Sequence, residues 1–287
     1  MARLRDLVDA ARLRFVTAGV PAPEAALDAE LLMRDVVGWD RATWITRWHE
    51  TADLGVARAF DAGVARRAAR EPMAYIRGHQ EFYGRVFQVR PGVLIPRPET
   101  ELVVDEGVTR LRLRAAGASP RVADIGTGSG CLGITLALEC PQATVVATDL
   151  SRPALTVARA NATALGAAGR VVCVQTRFLD GVAGAFELIV ANPPYVTDDD
   201  LPLLAPEVRL YEPHLALAGG PDGLRDVRAI VALAATALAP GGTLVMEIGV
   251  GQWPEARAAL ASVGLDADSR RDLQGIPRTV VARRPEV

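Results

Sequence analysis

Between Arg121 and Arg283, short aliphatic and β-branched runs alternate with longer stretches of helical periodicity. This alternation constrains the fold more than any other feature. RVADIG, ATVVATD, RVVCVQT, FELIVAN, GGTLVMEIG and RTVVARR read as strands. CLGITLALEC, SRPALTVARANATAL and the segments 224–238 and 253–263 read as helices. Ser151 is a candidate N-cap, and the proline behind it suits a first helical turn. Strands alternating with helices imply an α/β domain with an open, mainly parallel sheet.

The chain upstream has a different rhythm. Leu4, Leu7, Val8, Ala11 and Phe15 fall on one helical face. Pro21 and Pro23 interrupt, 25–37 repeats the helical pattern, and 54–69 is rich in Ala and Arg. Eleven arginines balance eleven carboxylates over residues 1–75, which suits a neutral docking module better than a nucleic-acid clamp. Trp39, Trp44 and Trp48 lie close together; they are either helix-packing core or a partner surface. EFYGRVFQV, with Gly84 as turn former, reads as a β-hairpin within residues 76–96. The expected organisation is a helical domain over 1–75, a hairpin linker over 76–96 and an α/β domain over 97–287.

Composition bounds the function. A length of 287 residues suits roughly two domains, and 50% hydrophobic residues exclude a largely disordered chain. The 32 basic side chains, all arginine, face 34 acidic ones, which argues against a broad electrostatic grip on nucleic acid. Cys131, Cys140 and Cys173 fit no zinc spacing and read as reduced buried thiols, so no metal is expected. There is no apolar run of membrane-spanning length, and the charged start lacks a signal-peptide core. A cytoplasmic location and no membrane partner follow as expectations.

Two motifs sit where such a sheet binds ligands, beyond the carboxyl ends of strands. Asp124-Ile-Gly126-Thr127-Gly128-Ser129-Gly130 follows one strand and opens a helix. Its glycines allow a sharp turn and close approach of a ligand to the backbone. The next strand ends in Asp149, nineteen residues after Gly130, where a carboxylate can accept from both hydroxyls of a ribose. A dinucleotide fingerprint wants glycine where Cys131 stands, so the G-x-G-x-G spacing favours S-adenosylmethionine. A bare glycine-rich turn is the plainer reading.

The second motif, Asn192-Pro193-Pro194-Tyr195, follows FELIVA. The first proline holds Asn192 out of the helical region, and two consecutive prolines stiffen the rim. The Asn192 amide and the Pro193 carbonyl are acceptors suited to an NH2 group on a planar conjugated system, against which Tyr195 can pack. A strained turn with a polar strand cap is the plainer reading here.

With these motifs, several further stretches resemble one family: Pro72-Met-Ala-Tyr-Ile-Arg-Gly78, Glu81-Phe-Tyr-Gly84, Val93-Leu-Ile-Pro-Arg-Pro-Glu-Thr-Glu101, Tyr211-Glu-Pro213, Gly219-Gly-Pro-Asp-Gly223, and Glu247-Ile-Gly249 with Gln252. From about residue 70 onward the chain is similar to the HemK/PrmC family, the release-factor glutamine N5-methyltransferases. The resemblance implies a Rossmann-like, seven-stranded S-adenosylmethionine-dependent methyltransferase domain behind a small helical bundle. It implies as substrate the glutamine of the Gly-Gly-Gln motif in bacterial class 1 peptide chain release factors. Carried onto this chain, Gly126, Thr127, Gly128, Ser129 and Gly130 surround the methionine part of the cofactor and Asp149 holds its ribose. Phe178 falls where the family has an aromatic residue against adenine. Asn192 lies between cofactor and substrate. Asn192 and Pro193 accept the two amide hydrogens, while Pro194 and Tyr195 shape the pocket. Arg97 and Glu101 belong to a family block without an assigned role, and joining hairpin to domain is one structural possibility. Two other functions compete with this reading. One is N-methylation of a nucleic-acid base, whose exocyclic amine offers the same geometry. The other is a cofactor-binding scaffold without turnover. The balanced charge favours no direct nucleic-acid binding.

Overall fold

The computed structural model describes residues 2–113 and 119–286. Its helices begin with α1 (Leu4–Thr17), α2 (Ala22–Val37), α3 (Arg41–Arg47), α4 (Leu54–Ala68) and α5 (Met73–Arg77). The hairpin strands β1 (His79–Phe82) and β2 (Arg85–Gln88) follow, then α6 (Glu101–Arg112). The alternating region comprises β3 (Arg121–Ile125), α7 (Cys131–Glu139), β4 (Thr144–Asp149), α8 (Arg152–Ala164), β5 (Val171–Gln175) and β6 (Phe186–Ala191). Beyond it come α9 (Pro206–Tyr211), α10 (Arg225–Ala237), β7 (Leu238–Glu247), α11 (Trp253–Ser262), β8 (Asp266–Arg271) and β9 (Pro277–Arg283). The chain divides into two compact units: residues 1–79 with 205–211, and residues 80–204 with 212–287.

The smaller unit is helical. Phe15, Met33, Trp44 and Phe60 form the centre of its core. Asp40 and Asp53 start α3 and α4 by accepting the Thr43 and Val56 N–H groups at 2.7 and 2.8 Å, which satisfies donors orphaned at a helix start. Gly63 permits close packing of α4 on α2, since a Cβ there would lie 2.7 Å from Leu32. Of the three tryptophans, Trp44 is core, Trp39 lies beneath the Arg47 guanidinium at 4.3 Å, and Trp48 is 45% exposed. The short helix α9 belongs to this unit, which was not expected from the sequence. Buried Arg67 donates to Asp28 and Glu207 at 2.7 Å each, and Arg70 grips both Glu207 oxygens at 2.7 and 2.6 Å. Tyr211 adds a hydrogen bond from its hydroxyl to the Ala69 carbonyl at 2.6 Å.

The larger unit carries a seven-stranded sheet in the order β5-β4-β3-β6-β7-β9-β8. The strands from β5 to β7 run parallel, and β9 is antiparallel to both neighbours. One apolar layer joins the sheet to α6 and α7, and the other joins it to α10 and α11. The chain order reverses at β3, so β3 and β6 flank the crevice in which open α/β sheets bind ligands. Their register sets the site. Ile125 pairs with Thr148 on one side and Ala191 on the other, and Ala191 pairs with Met246. Gly126, Asp149, Asn192 and Glu247 each stand one residue beyond this row, at one level along the sheet edge.

Candidate active site

A cavity of about 530 Å³ opens at that edge, a volume typical of small-molecule sites. Gly126, Thr127, Gly128 and Ser129 form one wall. Gly126 and Gly128 have φ of 70° and 56°, a region glycine enters without steric cost. A Cβ on Gly126 would meet nothing within 4 Å, so the loop backbone can approach a ligand closely. Gly130 does not line the cavity. It opens α7 at φ 85°, where a Cβ would lie 2.5 Å from Ile134.

Asp124 lies fully buried beneath the loop. One oxygen accepts from the Thr127 hydroxyl at 2.5 Å and the Gly133 N–H at 2.9 Å. Burial pushes its carboxyl up to about 6, against the pull of those two donors. Asn161 on α8 braces the loop from behind, donating to the Ser129 carbonyl at 2.8 Å and exchanging hydrogen bonds with the Gln88 backbone.

Asp149 reaches the cavity with a preset geometry. Its two oxygens accept the Ser151 and Gly128 N–H groups at 2.8 and 2.9 Å. Each oxygen keeps further lone-pair capacity, which suits adjacent ribose hydroxyls. Burial raises its pKa, and the backbone donors oppose the shift. Phe178 lines the same cavity, held at φ 49° with the Arg177 guanidinium 5.2 Å from its ring centroid. The open glycine wall, the buttressed carboxylate and the aromatic wall together fit a nucleoside-bearing cofactor such as S-adenosylmethionine.

Asn192, Pro193 and Pro194 form the adjoining wall. The Asn192 Nδ2 donates to Thr100 Oγ1 at 3.0 Å. Among the described residues, neither Asn192 Oδ1 nor the Pro193 carbonyl accepts a hydrogen bond from the protein, so both acceptors remain available to a ligand. Tyr195 is not part of the cavity wall. Its hydroxyl donates to Glu247 at 3.0 Å, and burial and that carboxylate together raise its pKa. Gln252 holds the Tyr195 carbonyl at 3.0 Å and the Gly223 carbonyl at 3.2 Å while accepting the Gly249 N–H at 2.8 Å. The described residues contain no metal-binding cluster.

Two residues left without a role in the sequence acquire one. Glu101 accepts the Tyr83 N–H at 2.7 Å and so fastens the hairpin turn to the start of α6. Arg97 pairs with buried Glu212, whose second oxygen accepts the N–H of Ile95 in the cavity wall at 3.1 Å.

The chain is 42% identical over 277 residues to the release factor glutamine methyltransferase of Bradyrhizobium diazoefficiens, covering 96% of this chain and 92% of that protein. The corresponding protein of Deinococcus radiodurans is 43% identical over 283 residues, covering 98% and 99%. This chain belongs to the release factor glutamine methyltransferase family. Residues 6–78 match the PrmC N-terminal domain, and residues 102–206 match the methyltransferase small domain. A methyltransferase from Pyrococcus furiosus shares the fold, with a TM-score of 0.52 at 17% identity, covering 71% of this chain and 91% of that one. For this family member, the sequence motifs alone had not singled out Thr100, Asn161, Glu212, Glu247 or Gln252 as parts of the site. The available signal was that Thr100, Glu212, Glu247 and Gln252 lie in the family-resembling stretches, which carried no assigned role for them, whereas Asn161 lies in none of those stretches.

Proposed function

We propose that this protein transfers the methyl group of S-adenosylmethionine to the side-chain amide nitrogen, N5, of the glutamine in the Gly-Gly-Gln motif of bacterial class 1 peptide chain release factors. The observation that carries the reading is the pair of unengaged acceptors, Asn192 Oδ1 and the Pro193 carbonyl, beside the glycine wall and Asp149. Two acceptors at one rim match the two N–H groups of a primary carboxamide. Family membership supplies the substrate class.

The chemical difficulty is that an amide nitrogen is a weak nucleophile, because its lone pair is delocalised into the carbonyl. Asn192 and Pro193 orient that nitrogen and raise its electron density by accepting both hydrogens. S-adenosylmethionine would supply a sulfonium methyl group; the nitrogen–carbon bond forms as the sulfur–carbon bond breaks to leave a neutral thioether, and the nitrogen loses one of its two hydrogens as a proton to water. Asp149 and the glycine wall hold the cofactor against the Asn192 rim, so orientation contributes several kcal/mol to lowering the barrier. The nearly balanced charge of the chain, 32 basic against 34 acidic side chains, supports a protein substrate without direct nucleic-acid contact, and such a substrate places the reaction in the cytoplasm.

The test is incubation with methyl-labelled cofactor and either a release factor or its Gly-Gly-Gln→Gly-Gly-Ala variant, with ribosomal RNA and DNA alongside. Label on the wild-type factor alone is expected. Label on nucleic acid instead would replace this reading with base methylation.

The N-terminal helices are assigned a grip on the release factor away from its glutamine. Deleting them would deprive Glu207 of Arg67 and Arg70, so exposed positions make the better probe. Ile45→Ala with Trp48→Ala, at 63% and 45% exposed sites, should raise KM for the intact factor and leave a short Gly-Gly-Gln peptide unaffected. An unchanged KM for the intact factor would remove this role.

A further inference from the structure

We propose that Thr100 and Glu247 are positioning residues that fix which end of the Asn192 carboxamide faces the substrate. The inference rests on the glutamine methyltransferase reading and deepens it. Thr100 Oγ1 lies 2.6 Å from Glu247 Oε2 and 3.0 Å from Asn192 Nδ2. Thr100 and Glu247 are buried, at 2% and 1% exposure, so water does not compete for these bonds. The Tyr195 hydroxyl occupies the other Glu247 oxygen at 3.0 Å.

The polarity of this chain follows from proton counting. Burial raises the Glu247 pKa, while the hydrogen bonds from the Thr100 and Tyr195 hydroxyls oppose that shift and favour the carboxylate. In its ionised form the carboxylate only accepts, and a hydroxyl carries one hydrogen. Thr100 spends that hydrogen on Glu247. Its oxygen can therefore meet Asn192 only as an acceptor, which draws the Nδ2 group towards Thr100. Oδ1 is left for the cavity. A flipped carboxamide would direct N–H groups at the N–H groups of the substrate, a contact with no acceptor in it. Glu247 therefore acts on the substrate through two intervening groups, and it also holds Tyr195 three residues further along the same rim. The arrangement depends on the register that sets Ala191 beside Met246, which brings Asn192 and Glu247 to one level.

The experiment compares wild type, Thr100→Val and Thr100→Ser on an intact release factor, measuring kcat, KM and cofactor affinity. Valine keeps the shape and removes the hydroxyl; serine keeps the hydroxyl and removes the methyl. Thr100→Val should lower kcat about 100-fold, the scale of a small misplacement of reacting groups, with cofactor affinity unchanged. Thr100→Ser should restore most of the rate. Wild-type turnover in Thr100→Val, or an equal loss in Thr100→Ser, would overturn the proposal and leave Thr100 a packing residue.

A second measurement needs no variant to fold and no substrate. In protein labelled with 15N-asparagine, one Asn192 side-chain hydrogen should exchange slowly and resonate downfield. A freely exchanging Asn192 amide would overturn the proposal. If wild-type protein failed to methylate the release factor, the functional reading would fall, while the amide spectrum would still decide the orientation.

Discussion

Asp149 accepts the Gly128 N–H at 2.9 Å, which ties the carboxylate at the end of β4 to the glycine loop after β3. The Ser151 N–H holds its other oxygen at 2.8 Å, so the group is oriented before any ligand arrives. Preorientation reduces the ordering cost of binding. Asp149→Ala removes a charged acceptor and loosens Gly128 together. Hydrogen bonds to charged groups contribute about 1.5–3 kcal/mol, so calorimetric affinity for S-adenosylmethionine should fall about 10- to 100-fold. Affinity equal to wild type would show that the ribose is held elsewhere.

Asn192→Ala separates binding from turnover. In the proposed mechanism the residue supplies an acceptor to the reacting nitrogen, and the variant leaves the glycine loop and Asp149 of the cavity wall intact. Losing one oriented polar contact at a reacting centre costs about 100- to 1000-fold in rate. Label transfer to the release factor should fall by at least that much, with cofactor affinity close to wild type. Undiminished transfer would contradict the mechanism.

The legible and illegible parts of this site divide by range. Gly126 to Ser129, Asp149 and Asn192-Pro193 could be read because each motif is local and caps its own strand. Thr100 lies 92 residues from Asn192 and 147 from Glu247, so its role exists only once strand register is set. Tyr195 was expected against the substrate, but its hydroxyl is directed to Glu247, a partner that no local pattern announces. The polar edge strand β8, Asp-Ala-Asp-Ser-Arg-Arg, lacks the apolar alternation that marks a half-buried strand. The helices α3 and α6 also went undelineated; α3 spans only seven residues, just under two turns of periodicity. The helix α9 has six residues, and its place in the small unit depends on Glu207 meeting arginines 137 and 140 positions away.

The same Glu207 makes the small unit sensitive to acid. Burial pushes its carboxyl up, but hydrogen bonds from Arg70 and Arg67 outweigh this and bring it down to about 2, from an ordinary 4.5. A carboxyl with a depressed folded-state pKa stabilises the fold above its unfolded value and loses that contribution as pH falls towards the folded one. The stability difference between wild type and Glu207→Gln should therefore be full above pH 4.5 and shrink steadily below it. Denaturant unfolding of both proteins at pH 6 and pH 3 checks this. A difference that stays constant over this range would mean Glu207 is not held by its arginines in solution.

Gly133 and Gly126 make a contrasting pair for stability. Gly133 lies within α7, and a Cβ there would stand 2.8 Å from Asp124 Oδ2 and 2.9 Å from Val145 Cγ1. Both neighbours are in the packed interior, so Gly133→Ala is an overpacking change costing about 1–3 kcal/mol. For a domain of this size each kcal/mol lowers Tm by about 2–4 °C. Asp124 also holds Thr127 of the cavity wall, so on the proposed function cofactor affinity should fall in the same variant. Gly126→Ala meets open space, and its penalty is backbone strain at φ 70°, of about 1 kcal/mol. Calorimetric melting of both variants should therefore give the larger Tm loss at Gly133, although only Gly126 lines the cavity. The reverse order would mean that α7 can shift away from β4, and that the brace from Asp124 to the glycine loop is looser than the contacts indicate.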